Sequence, residues 1–128
     1  MDELRVCPEG PQVVGWLQDE PLVRVDVGTV RLEARLPRET AHAKEVIEVL
    51  GGLAEAWGGP LRLEVVATSQ GRPSLGFLVS LARGLTAAGS LRELVIYAGP
   101  VPVRHIALLV ERTSAAFGPP VRVREGRP

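Results

Sequence analysis

The residues best suited to chemistry in this 128-residue chain are two histidines, one cysteine and a scatter of serines, threonines and arginines. A Ser-His-Asp assembly could draw its base only from His42 or His105, and no Gly-x-Ser-x-Gly elbow accompanies either. Cys7 is the single cysteine, so an intrachain disulfide and a four-thiolate zinc site are both excluded. The histidines sit far apart, in no metal-ligand spacing. The stretches Gly71-Arg72-Pro73-Ser74-Leu75-Gly76 and Gly99-Pro100-Val101-Pro102-Val103-Arg104 lack the glycine spacing of dinucleotide or nucleoside-triphosphate loops. Paired carboxylates such as Glu45 and Glu48 fall on the solvated side of an amphipathic helix. These patterns predict no catalysis, no bound metal and no cofactor.

Two loops offer a binding site nonetheless. Ligands of open α/β sheets sit beyond the carboxyl ends of the strands. The loop 68–74 follows one expected strand and opens a helix, and the loop 99–105 follows its expected neighbour. The first carries Thr68, Ser69, Arg72 and Ser74; the second carries Arg104 and His105. A helix N-terminus presents unpaired N–H groups and positive potential, so these six residues are the candidates for holding a partner or an anion. The competing reading makes Ser74 a helix cap and Arg104 and His105 ordinary surface residues.

The elements that would position these loops are legible from periodicity. Residues 1–12 show none and read as a loosely ordered start; 13–124 read as a single α/β domain. Val13–Leu17 reads as a short strand with Trp16 as an anchor. Leu22 to Val27 and Val30 to Leu36 each alternate strictly around Gly28-Thr29, the signature of a two-residue hairpin loop. That register would set Val27, Val25 and Val23 opposite Val30, Leu32 and Ala34. The other face would carry the pairs Asp26–Arg31 and Arg24–Glu33, with Arg35 beside them.

A helix is expected from about Thr40 on the stripe Ala43, Val46, Leu50, Leu53 and Trp57, with a break or bend at Gly51-Gly52 and a stop at Gly58-Gly59-Pro60. Leu61–Ala67 is a strand. Ser74 opens a second helix on Leu75, Leu78, Val79, Ala82 and Leu85. Leu94–Ala98, without polar alternation, is a central strand buried on both faces. A third helix carries Val103, Ile106, Ala107, Val110 and Phe117, and Val121–Arg124 is a last strand. Right-handed crossovers place the later strands parallel. The expected fold is α/β: a mixed sheet with an N-terminal antiparallel hairpin and three helices mainly on one face.

Composition narrows the function classes. The chain is 45% apolar and 23% charged, ordinary for a globular domain, with a formal net charge of zero. Lys44 is the one lysine and the arginines are scattered, so the basic footprint of a nucleic-acid binder is missing. No apolar run approaches the ~20 residues of a membrane span. The start reads as no signal peptide, and a cytoplasmic location is expected.

Pro73-Ser74-Leu75-Gly76-Phe77-Leu78 resembles the Asp-Ser-Ser-Gly-Leu-Gly start of the second helix of STAS domains, the fold of bacterial anti-sigma-factor antagonists. Glu93–Tyr97 through Pro119–Val123 resembles the last strand-helix-strand of the divergent bacterial STAS-like proteins of unknown function. The resemblance spans roughly Val13 to Val123, mainly as an order of elements. It implies a protein-interaction module in which the loop 68–74 and the start of the second helix meet partners. The family's regulatory phosphate goes on the serine just before the glycine; Leu75 holds that position here, so no phosphorylation is expected there. The expected function is therefore a non-catalytic regulator or scaffold that binds a protein, with a twofold dimer the commonest form should it self-associate. A small-molecule or anion carrier, or a weak enzyme, using the loops 68–74 and 99–105 is the alternative.

Overall fold

A computed structural model describes residues 12–17, 20–34, 39–68, 74–100, 104 and 120–128. Six strands form one mixed sheet: β1 (Gln12–Leu17), β2 (Glu20–Asp26), β3 (Thr29–Ala34), β4 (Leu61–Ala67), β5 (Leu91–Tyr97) and β6 (Val121–Arg124), in that order across the sheet. The pairs β1–β2 and β2–β3 are antiparallel; β3–β4, β4–β5 and β5–β6 are parallel. Between β3 and β4 lie a 3₁₀ turn (Thr40–His42) and α1 (Ala43–Trp57); between β4 and β5 lies α2 (Leu75–Ala87). Both helices pack on one face, closing a core with Leu22, Val30, Leu32, Leu63, Val65, Leu94 and Ile96 of the sheet. The third helix expected from 103 to 117 lies outside the described residues, except Arg104, which is helical and exposed. The loosely ordered start also lies outside them up to residue 11, while Gln12 already belongs to β1.

β5 has β4 on one side and β6 on the other, the central position expected for 94–98. Its residues Leu94, Val95 and Ile96 are buried on both faces. The hairpin departs from its expected register. Gly28, at a φ of 79°, takes the second position of the loop and Val27 the first, so Asp26 faces Thr29. Leu22 pairs with Leu32, Val23 with Arg31 and Arg24 with Val30, with a bulge between Arg24 and Asp26. The physical reason is burial. Leu22 fills the helix-side core, whereas the alternating Val23, Val25 and Val27 do not, and Val27 is 81% exposed. The opposite-charge pairs expected across the hairpin are therefore not formed; Arg35 is outside the described residues.

α1 runs unbroken through Gly51 and Gly52 and ends where Gly58, at a φ of 79°, adopts the left-handed conformation that caps a helix without a Cβ penalty. Ala43, Val46, Leu50 and Ala54 are buried, with Leu53 and Trp57 packed at the margin of the core. On α2 Leu78, Ala82 and Leu85 face inward as expected, Phe77 and Leu81 join them, and Val79 is only half-buried. α2 comes close to α1 and to the 3₁₀ turn before it: a Cβ on Gly84 would meet the end of the Ile47 side chain, and one on Gly76 the Thr40 hydroxyl. Hydrogen lets the two elements meet where a methyl group would hold them apart.

Candidate interaction surfaces

The carboxyl ends of the strands were the expected site. Thr68 follows β4, and its hydroxyl donates to the Ala34 carbonyl at 2.9 Å, tying the ends of β3 and β4 together. Ser74 is the N-cap of α2, its Oγ accepting the Phe77 N–H at 3.0 Å. Both described hydroxyls of the first loop are thus engaged in holding the fold. Arg104 is exposed; Ser69, Arg72 and His105 lie outside the described residues, so no gathering of the six candidates is seen. On the same rim Gly99 forms a bridge with Gly126, and a Cβ on Gly99 would stand 2.0 Å from the Ala67 carbonyl oxygen. The β4 and β5 ends are therefore closed on each other. His42 spends its Nδ1 on the Glu39 N–H, at 2.8 Å. Among the described residues, no three His, Cys, Asp or Glu side chains are placed to hold a metal ion.

The face of the sheet away from the helices carries a ladder of charge. Register puts Arg31, Glu64, Arg62, Glu93 and Arg122 on this face of four adjacent strands. Arg31 Nε donates to Glu64 at 2.8 Å, Arg62 pairs with Glu64 and, at 3.0 Å, with Glu93, and Arg122 closes on Glu93 at 2.7 Å. Arg127, beyond β6, reaches Glu33 of β3 at 2.8 Å. Glu64, with a side chain 5% exposed, accepts from two guanidinium groups, which is how a carboxylate this deep stays tolerable. Burial alone would lower the Arg62 pKa; the hydrogen bonds and charges of Glu64 and Glu93 outweigh it and hold the guanidinium above its ordinary value. These charges satisfy one another, and Val66 and Val95, both fully buried, share the face with them.

The end of the sheet at β1 is different in kind. Among the described residues β1 pairs only with β2. A bulge between Val13 and Gly15 resets its alternation. Gly15 then faces Leu22 and Val49, Val14 packs on the core, and Leu17 is fully buried. Val13 and Trp16, three residues apart, are thereby both turned outward, 51% and 61% exposed. Trp16, expected as an anchor, is a mostly exposed residue of the edge strand. No charged residue or proline interrupts Gln12–Leu17. Trp57, by contrast, is roofed by Arg24, whose guanidinium carbon lies 5.1 Å from the ring centre. Sequence periodicity gives no hint of Val13 and Trp16 as a pair, because their common orientation depends on the bulge.

No protein-family model, no curated protein and no solved structure matches the chain. Among the described residues, no helix is long and apolar enough to cross a membrane.

Proposed function

We propose that this chain is a non-catalytic protein-interaction module, a regulator or scaffold of the STAS-like kind its sequence resembles, and that it self-associates through β1. The observation carrying this reading is the outward Val13–Trp16 pair on an uncharged strand at the end of the sheet. Edge strands that remain single are ordinarily blunted by charge or proline; β1 has neither. An antiparallel β1–β1 contact about a twofold axis would join two sheets and set each copy's Trp16 and Val13 against the same patch of the other. No like charges on the strand oppose that approach. The ion pairs of the charged face and the two described hydroxyls of the strand-end rim, Thr68 and Ser74, support the reading indirectly, since they are committed within the chain.

Light scattering across a range of protein concentrations tests it. The unaltered chain should form a dimer, and the double variant Val13→Lys, Trp16→Lys should remain monomeric with an unchanged circular dichroism spectrum. A chain that stays monomeric at every concentration, or a dimer indifferent to both lysines, overturns the proposal.

A further inference from the structure

Where the carboxyl-terminal ends of α1 and α2 converge beside the start of β5, they leave a cavity of about 520 Å³. Gly51, Glu55, Gly58, Gly59, Gly89 and Ser90 line it, together with two alanines. The N–H groups of Gly58 and Gly59 donate to the carbonyls of Glu55 and Ala54, and those of Gly89 and Ser90 to Thr86 and Leu85. These bonds engage donor and acceptor alike, and what each helix end then turns toward the cavity is the negative end of its dipole. Two such ends meet here, and Glu55 adds a full negative charge. No basic side chain is among the described residues of the wall.

Ser90 is an independent pointer to a ligand. It is only 5% exposed, it lines the cavity, and its hydroxyl has no hydrogen-bond partner among the described residues. A buried hydroxyl left in that state carries a desolvation cost unless something fills the space beside it. Gly51 strengthens the case. Glycine is disfavoured within a helix, yet a Cβ here would meet nothing closer than Ser90 Oγ, at an ordinary 3.9 Å. No crowding excludes a side chain; any longer one would grow toward Ser90 and occupy the cavity.

We infer that this cavity binds an organic monocation, an alkylguanidinium or alkylammonium head group. Glu55 supplies the counter-charge beside the negative ends of the two helices, and Ser90 Oγ accepts an N–H of the head group. A hard metal ion fits less well, because one carboxylate on the wall is far from the set of oxygen ligands such ions require. The volume is that of an organic ligand's cleft. The cation could be a free amine or an arginine or lysine side chain of another protein, and this inference stands independently of the β1 contact.

The test is an amide-resolved NMR titration of the full chain with agmatine, a capped pentapeptide containing one arginine, and calcium chloride. Agmatine or the peptide should move the Gly51, Gly58, Gly89 and Ser90 amides. Agmatine binding at least as well as the peptide identifies a free-amine site; the peptide binding alone identifies a partner's side chain. Affinity should fall about tenfold or more in Glu55→Gln, as expected for losing a charge-assisted contact. It should vanish in Gly51→Leu, which fills the cavity with a good helix former and leaves the fold intact by circular dichroism. Absence of shifts with both organic probes, shifts that persist in Gly51→Leu, or a response to calcium alone would overturn the inference.

Discussion

The two faces of the same sheet are stabilised in opposite ways. Toward the helices, β3, β4 and β5 present Leu32, Leu63, Val65, Leu94 and Ile96, closed over by Phe77, Leu81 and Leu85 of α2. Away from them, the intervening residues Arg31, Arg62, Glu64 and Glu93 form a charge ladder across the strands. The helix face gains from removing apolar area from water, a non-directional effect that salt does not screen. The charged face depends on geometry and on keeping every member of the ladder paired, because a deep carboxylate without its cations is expensive. The second face is therefore no passive surface. Its central carboxylate is as buried as much of the core, so it specifies strand order as the apolar residues cannot: Arg31 and Arg62 meet Glu64 only if β3 and β4 are adjacent in this register.

The largest effect should come from the helix face. Phe77 is fully buried and central to the α2 contact, so Phe77→Ala should destabilise the chain by about 3–5 kcal/mol. Urea denaturation reads this as a lower midpoint at unchanged slope, little affected by sodium chloride. A loss under about 1 kcal/mol would mean that the core closes around the deleted ring.

Glu64→Ala is the matching cut on the charged face. It takes Arg31 from its ladder partner while Arg62 keeps Glu93, and both arginines are about a quarter exposed, with side-chain exposures of 22% and 24%, so solvent recovers part of their charge. The expected cost is about 1–3 kcal/mol, below that of Phe77→Ala. Unlike the core variant, its difference from the unaltered chain should shrink as salt rises, since salt screens the partly exposed partners. A salt-independent loss would assign Glu64 a packing role instead.

How far these two faces could be read from sequence differs in the same way. β4 and β6 stand where their residues suggested, and the alternation of β3 and the apolar run of β5 were visible, because burial imposes a period of two or removes it. The hairpin register was not, since the bulge between Arg24 and Asp26 adds a residue that no periodicity announces, as the bulge between Val13 and Gly15 does in β1. The spacing Leu75, Leu78, Val79, Ala82, Leu85 shares three residues with the buried face of α2 but leaves out Phe77 and Leu81. The ladder could not be read because its members come from four strands, and their order is a property of the topology. Of the expected binding residues, the capping role open to Ser74 was legible from its place before an apolar helix; the cavity at the other end of the helices was not, because its lining comes from the ends of separate elements.

Ser74 lies on the rim where the two faces meet. Removing its cap with Ser74→Ala should cost about 1 kcal/mol, read as a small drop in melting temperature. Ser74→Asp should keep most of that stability, because a carboxylate accepts the Phe77 N–H and suits the positive end of the helix. If the aspartate is no better than the alanine, the bond to Phe77 is not what holds the start of α2.

The smallest effect should come from the outer rung of the ladder, and it decides whether the charged face acts as a graded or a uniform structure. Arg122 pairs with Glu93 at 2.7 Å, but its own side chain is 59% exposed. Glu93 keeps Arg62 when Arg122 is removed, so no carboxylate is stranded. Arg122→Ala should therefore cost no more than about 0.5 kcal/mol, as is usual for exposed ion pairs. A double-mutant cycle with Glu64→Ala separates the two possibilities. If burial sets the value of each rung, the Arg122 and Glu64 losses add. If the ladder works as one polarised chain through Arg62 and Glu93, removing Arg122 matters less once Glu64 is gone. Additivity would make Glu64 the sole structural centre of this face; a coupling clearly above measurement error would extend it across four strands.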